Sequence, residues 1–412
     1  MEDSFKYPRL RFPIDARVER IQNQELIVLR CPIGVAERPL ILSAATVPLL
    51  ACFNGQTSDA EILSRFEGQG LTSEFLTELI TTIDQYLFLD SPTFTAAYQK
   101  FKQDFFCKLI RPANLSGLSY PAEKRALQNL IDNYLNSNTA PKDAPGRLVA
   151  LISPHIDYRR GGATYGIAYS ALKGQQHDLY VLLGTAHQYS PHIFHLTKKD
   201  FESPLGVVSN DRELVQEVAA AYGEERSFAD EILHKNEHSL ELQIPFLGRL
   251  QSNPVIMPIL VGSFHTLIDN GKRPEEAEEY EAFAGALSRA LSDRILAGQK
   301  VCLIAGVDMA HLGQSFGDQQ RLSPEFMLQV EEQDRLYLQT LLGRDTQGLL
   351  SHICKDQDAR RICGFPAVYL LLDLLNRLNL CSQAVLLDYR QAVDYQSDCA
   401  VTFAGMAFYG AL

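Results

Sequence analysis

Residues 148–157, Leu148-Val149-Ala150-Leu151-Ile152-Ser153-Pro154-His155-Ile156-Asp157, decide how the chain reads: five consecutive apolar residues run into a turn that carries a histidine and an aspartate. A short continuous apolar run reads as a strand covered on both faces, the habit of parallel and mixed sheets flanked by helices. The pattern repeats at Tyr180–Leu183, Val255–Val261, Val301–Ala305, Ala384–Leu387 and Val401–Tyr409. Helical periodicity falls between these runs, on Thr164–Leu172, Arg212–Tyr222, Glu275–Ala297, Glu325–Leu342 and Pro366–Leu378. An amphipathic helix at Pro121–Leu135 and a loop over Asn136–Gly146 precede them. Strands alternating with helices predict an α/β domain with a central mixed or parallel sheet flanked by helices.

In open α/β sheets, ligands bind beyond the carboxyl ends of the strands, so the residues after each apolar run carry the functional reading. Leu148–Ile152 leads to His155 and Asp157, Tyr180–Leu183 leads through Gly184-Thr185-Ala186 to His187, and Val301–Ala305 leads to Asp308 and His311. Neutral imidazoles from separate loops, held by carboxylates such as Asp157 or Asp308, make a metal site or an acid/base pair. A two-histidine site for ferrous iron needs a third, anionic ligand; a thiolate in that place favours softer metals or a more electron-rich iron.

Composition narrows the alternatives. Four hundred and twelve residues predict two or three domains. Lys and Arg number 38 against 50 Asp and Glu, a net charge of −12 that repels a phosphate backbone unless basic residues gather on one face. Arg159-Arg160 and Arg360-Arg361 are isolated pairs, so no nucleic-acid partner is expected. The first twenty residues hold no apolar core for a signal peptide, and the longest apolar runs fall far short of the ~18 residues of a membrane span. The expectation is a cytoplasmic protein with no membrane partner. Cys31, Cys52, Cys107, Cys302, Cys354, Cys363, Cys381 and Cys399 form no CxxC pair, and are expected as reduced, mostly buried thiols.

The first ninety residues differ in pattern. Short β-like stretches at Leu26–Leu29 and Pro39–Leu42 precede three short helices, capped by Ser43, by Thr57 or Ser58, and near Thr72-Ser73. This reads as a small α+β, winged-helix-like module over residues 1–92. A polar helical link at Ala96–Phe106 joins it to the α/β domain of residues 107–412. Its third helix carries Glu74, Glu78 and Asp84 with no Lys or Arg, a poor fit for a DNA groove. The stretch Ser43–Ile62, with Leu49-Leu50, Asn54-Gly55, a polar cap and Glu61-Ile62, resembles the PqqD-like peptide-recognition domains. That resemblance implies a peptide or a radical-SAM protein as partner.

The larger domain carries a more extensive resemblance. Ser153–Gly162, Leu183–His187, Glu237-His238-Ser239-Leu240-Glu241-Leu242-Gln243-Ile244-Pro245-Phe246, Pro258–Gly262, Asp308-Met309-Ala310-His311 and Ile362-Cys363-Gly364 resemble the successive motifs of the Memo family. They run in family order from near Arg111 to the C-terminus. Bacterial and archaeal members are often called AmmeMemoRadiSam system protein B, after AMMECR-like and radical-SAM neighbours, and the family fold is similar to that of class III extradiol dioxygenases. The resemblance implies one iron or copper ion held by His155, His187 and Cys363, with Asp308, His311, Glu237 and His238 around the pocket as catalytic groups. Cys363 stands ahead of a helix start, an arrangement that lowers a thiol pKa. Leu115 and Gln188 stand where the animal protein has histidines, which removes any acid/base group from those positions. Two functions follow: a redox-active metalloprotein of dioxygenase-like architecture, or a non-catalytic peptide- or protein-binding module with a vestigial metal pocket. A competing motif, His234-Lys235-Asn236-Glu237-His238, spells the HxxEH signature of inverted zinc peptidases. The family match runs through the same segment without needing His234. His177, His192, His195, His265 and His352 read as surface or structural.

Overall fold

The structure, a computed structural model, describes residues 3–137, 146–269 and 272–410. Most of the loop expected over Asn136–Gly146 lies outside the described residues. The chain divides into two compact units, Met1–Cys107 and Lys108–Leu412.

In the first unit, strands β1 (Asp15–Ile21), β2 (Gln24–Arg30) and β3 (Leu40–Ser43) form an antiparallel sheet in the order β1-β2-β3. The strands β2 and β3 fall where apolar runs predict them. The strand β1 was not foreseen: its sequence, Asp-Ala-Arg-Val-Glu-Arg-Ile, is charged and largely exposed. Gln22 and Asn23 join it to β2, both at positive φ, the two-residue hairpin turn whose twist matches the strands. Ser58 caps the helix Asp59–Arg65 in a reciprocal box with Glu61, and Thr72 caps Ser73–Gln85. Leu76, Leu79, Ile80 and Ile83 of the latter helix share a core with Ile27, Leu29 and Leu40 of the sheet. The segment expected as a link is part of a 15-residue helix, Pro92–Phe106, capped by Ser91.

The second unit is an α/β domain around an eleven-stranded mixed sheet among the described residues. The strands are β4 (Ile110–Arg111), β5 (Arg147–Ser153), β6 (Leu179–Thr185), β7 (Phe194–Leu196), β8 (Asp200–Ser203), β9 (Gly206–Asn210), β10 (Val255–Val261), β11 (Val301–Gly306), β12 (His311–Leu312), β13 (Gln383–Asp394) and β14 (Cys399–Gly410). The order is β12-β14-β5-β11-β6-β10-β9-β8-β4, with β13 on β14 and β7 on β10. At the centre β5, β11, β6 and β10 are parallel, and nearly every residue in them is buried.

Alternation explains why these strands read as unbroken apolar runs. Ala150, Ile152, Val181, Leu183, Leu303 and Ala305 face one core, with the helices Arg212–Tyr222, Glu278–Leu296 and Phe365–Arg377. Leu151, Tyr180, Leu182 and Ile304 face the other, with Lys124–Ser137, Tyr158–Ser170 and Ile244–Leu250. Gly306 pairs with Ser153 on one side and Gly184 on the other, so three parallel strands end level with one another.

Candidate metal centre

The level strand ends bring the sequence-distant histidines together. His155 stands two residues beyond β5, His187 two beyond β6, and Asp308 two beyond β11. Glu237 and His238 arrive from outside the sheet, at the junction of two single-turn helices, Leu233–Asn236 and His238–Glu241. Glycine lets that segment settle onto the strand ends: a Cβ on Gly306 would lie 2.5 Å from Ser239 O, and one on Gly184 2.6 Å from Ser239 Oγ. Gln243 locks the arrangement, its Nε2 donating to Pro154 O (2.9 Å) and Ser239 O (3.1 Å).

Three imidazoles converge. The rings of His155 and His187 lie 5.0 Å apart, His155 and His238 5.1 Å, and His187 and His238 4.6 Å. One donor nitrogen from each lies within 4.8 Å of the others. In every case Nδ1 is engaged on the far side: His155 Nδ1 with Gly306 O (2.9 Å), His187 Nδ1 with Glu237 Oε1 (2.9 Å), and His238 Nδ1 3.2 Å from the same oxygen. An acceptor on Nδ1 makes Nε2 the nitrogen available to an ion, the pattern by which a backing acceptor fixes tautomer and orientation in metal-binding histidines. Cys363 Sγ lies 3.3 Å from His155 Nε2, beside the three-histidine group rather than within it.

The carboxylate acceptors are only partly those the sequence suggested. Asp157 backs none of the imidazoles; it caps the helix Tyr158–Ser170 and pairs with Arg160 at the basin wall. Asp308 accepts from the His155 backbone N–H (2.9 Å), with Oδ2 3.7 Å from His155 Nε2. Glu237 is the larger contributor, accepting from His187 N (3.0 Å) and Ser239 N (3.0 Å) as well as from the His187 imidazole, with the His238 ring at ion-pair distance. The turn between single-turn helices gave no sequence signal for that role. Behind it, fully buried Arg111 donates to His234 O (2.7 Å), to Glu237 O (2.8 Å) and to the buried carboxylate of Glu241 (2.5 Å). Tyr120 OH donates to Glu241 at 2.6 Å.

Electrostatics separate the groups. Burial, with His187 and His238 nearby, holds His155 well below the ordinary imidazole value. Burial also opposes charge on His187, but Glu237 and Cys363 outweigh it and raise its pKa well above the ordinary value. Glu237 is the matching case: burial favours the neutral acid, yet His187 and His238 pull it well below the usual carboxylate range. Burial pushes Asp308 up to about 7, between acid and base at neutral pH. Burial also raises the Cys363 thiol, only partly offset by His187, which corrects the expectation that the helix start lowers it. The helix begins at Phe365 after Gly364.

His311 stands further along the same wall, Nδ1 between the carbonyls of Met309 (3.1 Å) and Arg361 (3.2 Å), and burial lowers its pKa to about 4. With His155, His187, His238 and Asp308 it lines an open basin of ≈ 630 Å³. Leu115, at one of the positions where a histidine is absent, adds an apolar patch to that basin. His234 does not join the cluster: it is buried with Nε2 3.0 Å from His195 O, so the HxxEH segment does not present paired histidines.

Cys363 follows an unusual segment. Gln357, Asp358 and Arg361 all have positive φ, a costly state for non-glycine residues that clusters near functional sites. Arg360 pairs with buried Asp334, and Arg361 with Asp318. Arg361 Nε also donates to His311 O (3.2 Å).

Residues 111–407 match the model of the Memo-like protein family. A MEMO1 family protein of Aquifex aeolicus is 27% identical over 385 residues, covering 93% of this chain and 96% of its own. One from Archaeoglobus fulgidus is 27% identical over 301 residues, 73% of this chain and 99% of its own. One from Thermococcus kodakarensis is 26% identical over 311 residues, again 73% and 99%. The Aquifex likeness, at 93% of the chain, extends into the first unit. With most of the α/β domain matched, this chain belongs to the Memo-like family.

Proposed function

We propose that this chain is a redox-active metalloprotein in which His155, His187 and Cys363, joined by His238, hold one iron or copper ion in a dioxygenase-like pocket. The observation that carries the reading is the convergence of three imidazoles whose Nδ1 atoms are all engaged elsewhere. The donor set fits the ion: imidazole suits iron and copper, and a thiol adds a soft, anionic ligand once deprotonated. The bound ion would supply one-electron chemistry at the floor of the open basin.

The chain's own groups have distinct tasks. Glu237 orients His187 and His238, and Asp308 orients the His155 loop through its backbone N–H. Asp308, with a pKa of about 7, can take up or release a proton beside His155 Nε2. His311, neutral at physiological pH, offers a second polar group on the basin wall. The proposal extends to a partner. The edge strand β1 of the first unit offers backbone groups for strand addition by a peptide or a radical-SAM protein, whose contact surface would be neutral or basic opposite the acidic helix Ser73–Gln85.

Elemental analysis of protein purified without chelators tests the metal reading. One equivalent of iron or copper is expected, falling by at least ~10-fold in His155→Ala and Cys363→Ser. Unchanged metal content in both variants would overturn it.

A further inference from the structure

The sheet of the second unit has one long open edge. The strand β13 pairs with β14 on one side, and among the described residues no other strand lies against it. Both of its faces are covered. Leu386 and Tyr389 lean on the core that holds Tyr337 and Leu341 of the helix Pro324–Gly343, and Val385 and Leu387 on the core that holds Tyr165 and Tyr169 of Tyr158–Ser170. Yet every residue from Gln383 to Asp394 keeps some exposure, whereas β14 is buried from Ala400 to Gly410. With both faces covered, that exposure lies along the edge, where alternate N–H and C=O groups point outward with no strand to meet them.

Soluble proteins blunt such an edge with proline, lysine or short length. This one runs 12 residues with neither proline nor lysine, and its one irregularity is a bulge at Leu387. Its charges match a copy of themselves. Asp388 and Arg390 share the face toward Thr164, with Arg390 Nε 2.7 Å from Asp388 Oδ2, and Tyr389 between them points to the other face. With the bulged Leu387 set aside, Tyr389 is the middle of the strand, five residues on each side. A twofold axis through Tyr389, perpendicular to the sheet, runs two copies of β13 antiparallel over their whole length. Arg390 then stands opposite Asp388 of the second copy, and Asp388 opposite its Arg390. Moving the axis to either neighbour sets Asp388 or Arg390 against itself, and an axis nearer either end shortens the ladder.

The helix above supplies a second match. Arg335 lies over the Tyr389 ring (5.8 Å) and Asp334 accepts from the Tyr389 hydroxyl (2.9 Å), so this flank of Pro324–Gly343 leans over the edge strand. Leu328, two helical turns before Arg335 and on the same flank, is 64% exposed, and Leu336 is 48% exposed. The same axis brings that flank beside its own copy, where the leucines lose their contact with water.

We propose that the β13 edge is a dimerisation surface for a second copy of this chain, joining two sheets into one through antiparallel β13 strands, with the helix Pro324–Gly343 of each copy alongside. The surface does not depend on the metal reading, but it bears on the basin. Val401 and Cys399 line the basin and pair with Ala392 and Asp394 of β13, so the dimer clamps one basin wall.

Sedimentation equilibrium of the full chain, with hydrogen exchange at low and high protein concentration, tests the proposal. A dimer with a dissociation constant of about micromolar or tighter is expected, with amide exchange in Gln383–Asp394 slowing as it forms. Arg390→Asp sets acidic groups against each other on both sides of the axis and should weaken the dimer by at least ~10-fold. Leu328→Glu should weaken it by a similar factor, because a charge replaces an apolar contact beside the axis. Both side chains are exposed, so both variants should keep the fold, which circular dichroism checks. A chain that stays monomeric to about 100 µM leaves the edge to some other strand and overturns the proposal. A dimer indifferent to either variant, or one that leaves exchange in β13 unchanged, uses a different face and overturns it equally.

Discussion

Replacing Glu237 with Gln separates orientation from acid/base chemistry. The carboxylate receives two backbone N–H groups and His187 Nδ1 at 2.9–3.0 Å, and stands 3.2 Å from His238 Nδ1. A glutamine side chain has one oxygen for these donors, and its amide would face one of them with N–H against N–H. At least one charge-assisted bond to an imidazole is lost, worth about 1.5–3 kcal/mol. Spent on ligand orientation, that loss corresponds to roughly 10- to 100-fold in metal affinity, the range found when groups backing a metal ligand are removed. The assay is competition for iron or copper against a chromophoric chelator, with circular dichroism to confirm the fold. Folded Glu237→Gln protein with unaltered metal affinity would refute the assignment of Glu237 as the acceptor behind two ligands. Such a result combined with lost turnover would make Glu237 a proton-transfer group instead.

Arg111→Met should destabilise the second unit by about 3–5 kcal/mol in urea, because Glu241 would remain buried without its cation; a change under about 1 kcal/mol would show the pair to be dispensable. Gly306→Ala should cost about 1–3 kcal/mol and reduce metal retention, since its Cβ meets a backbone oxygen at 2.5 Å; wild-type stability and metal content together would contradict the close-approach argument. Burial lowers His234 to about 3 and His195 to about 4. The unfolded chain therefore takes up protons first, so their contribution is whole above about pH 6.5 and falls as pH drops below it, by about 2 kcal/mol each at pH 5. His234→Gln should shrink the stability lost between pH 8 and pH 5 by about that amount, and an unchanged loss in denaturation at the two pH values would disprove it.

Much of the second unit was legible because its strands are buried on both faces. The run Val255–Val261 and the helix Arg212–Tyr222 lie where their apolar patterns put them. The rule that ligands gather beyond parallel strand ends likewise selected His155, His187 and Asp308 before any coordinates. Short or half-exposed strands were not legible: β1 depends on its hairpin turn, and β7, β8 and β9 are three to five residues each. Glu237 and Cys363 came from the family resemblance, since neither lies at the end of an apolar run. That one carboxylate backs two imidazoles, and that the segment before Cys363 uses three left-handed residues, depends on tertiary contacts that local pattern does not encode.

The strand order sets a timetable for the site. His155 and Cys363 are 208 positions apart, and β5, which leads to His155, takes one of its neighbours from β14, the last strand of the sheet in sequence. During synthesis from the N-terminus, the imidazoles of His155, His187 and His238 emerge long before the thiol. The central strand stays open along one edge until nearly the whole chain has been made. A nascent chain therefore cannot present the complete donor set, and ion capture by the full set belongs to the finished fold. Truncation within β14 should accordingly abolish the pocket without removing any of its donors.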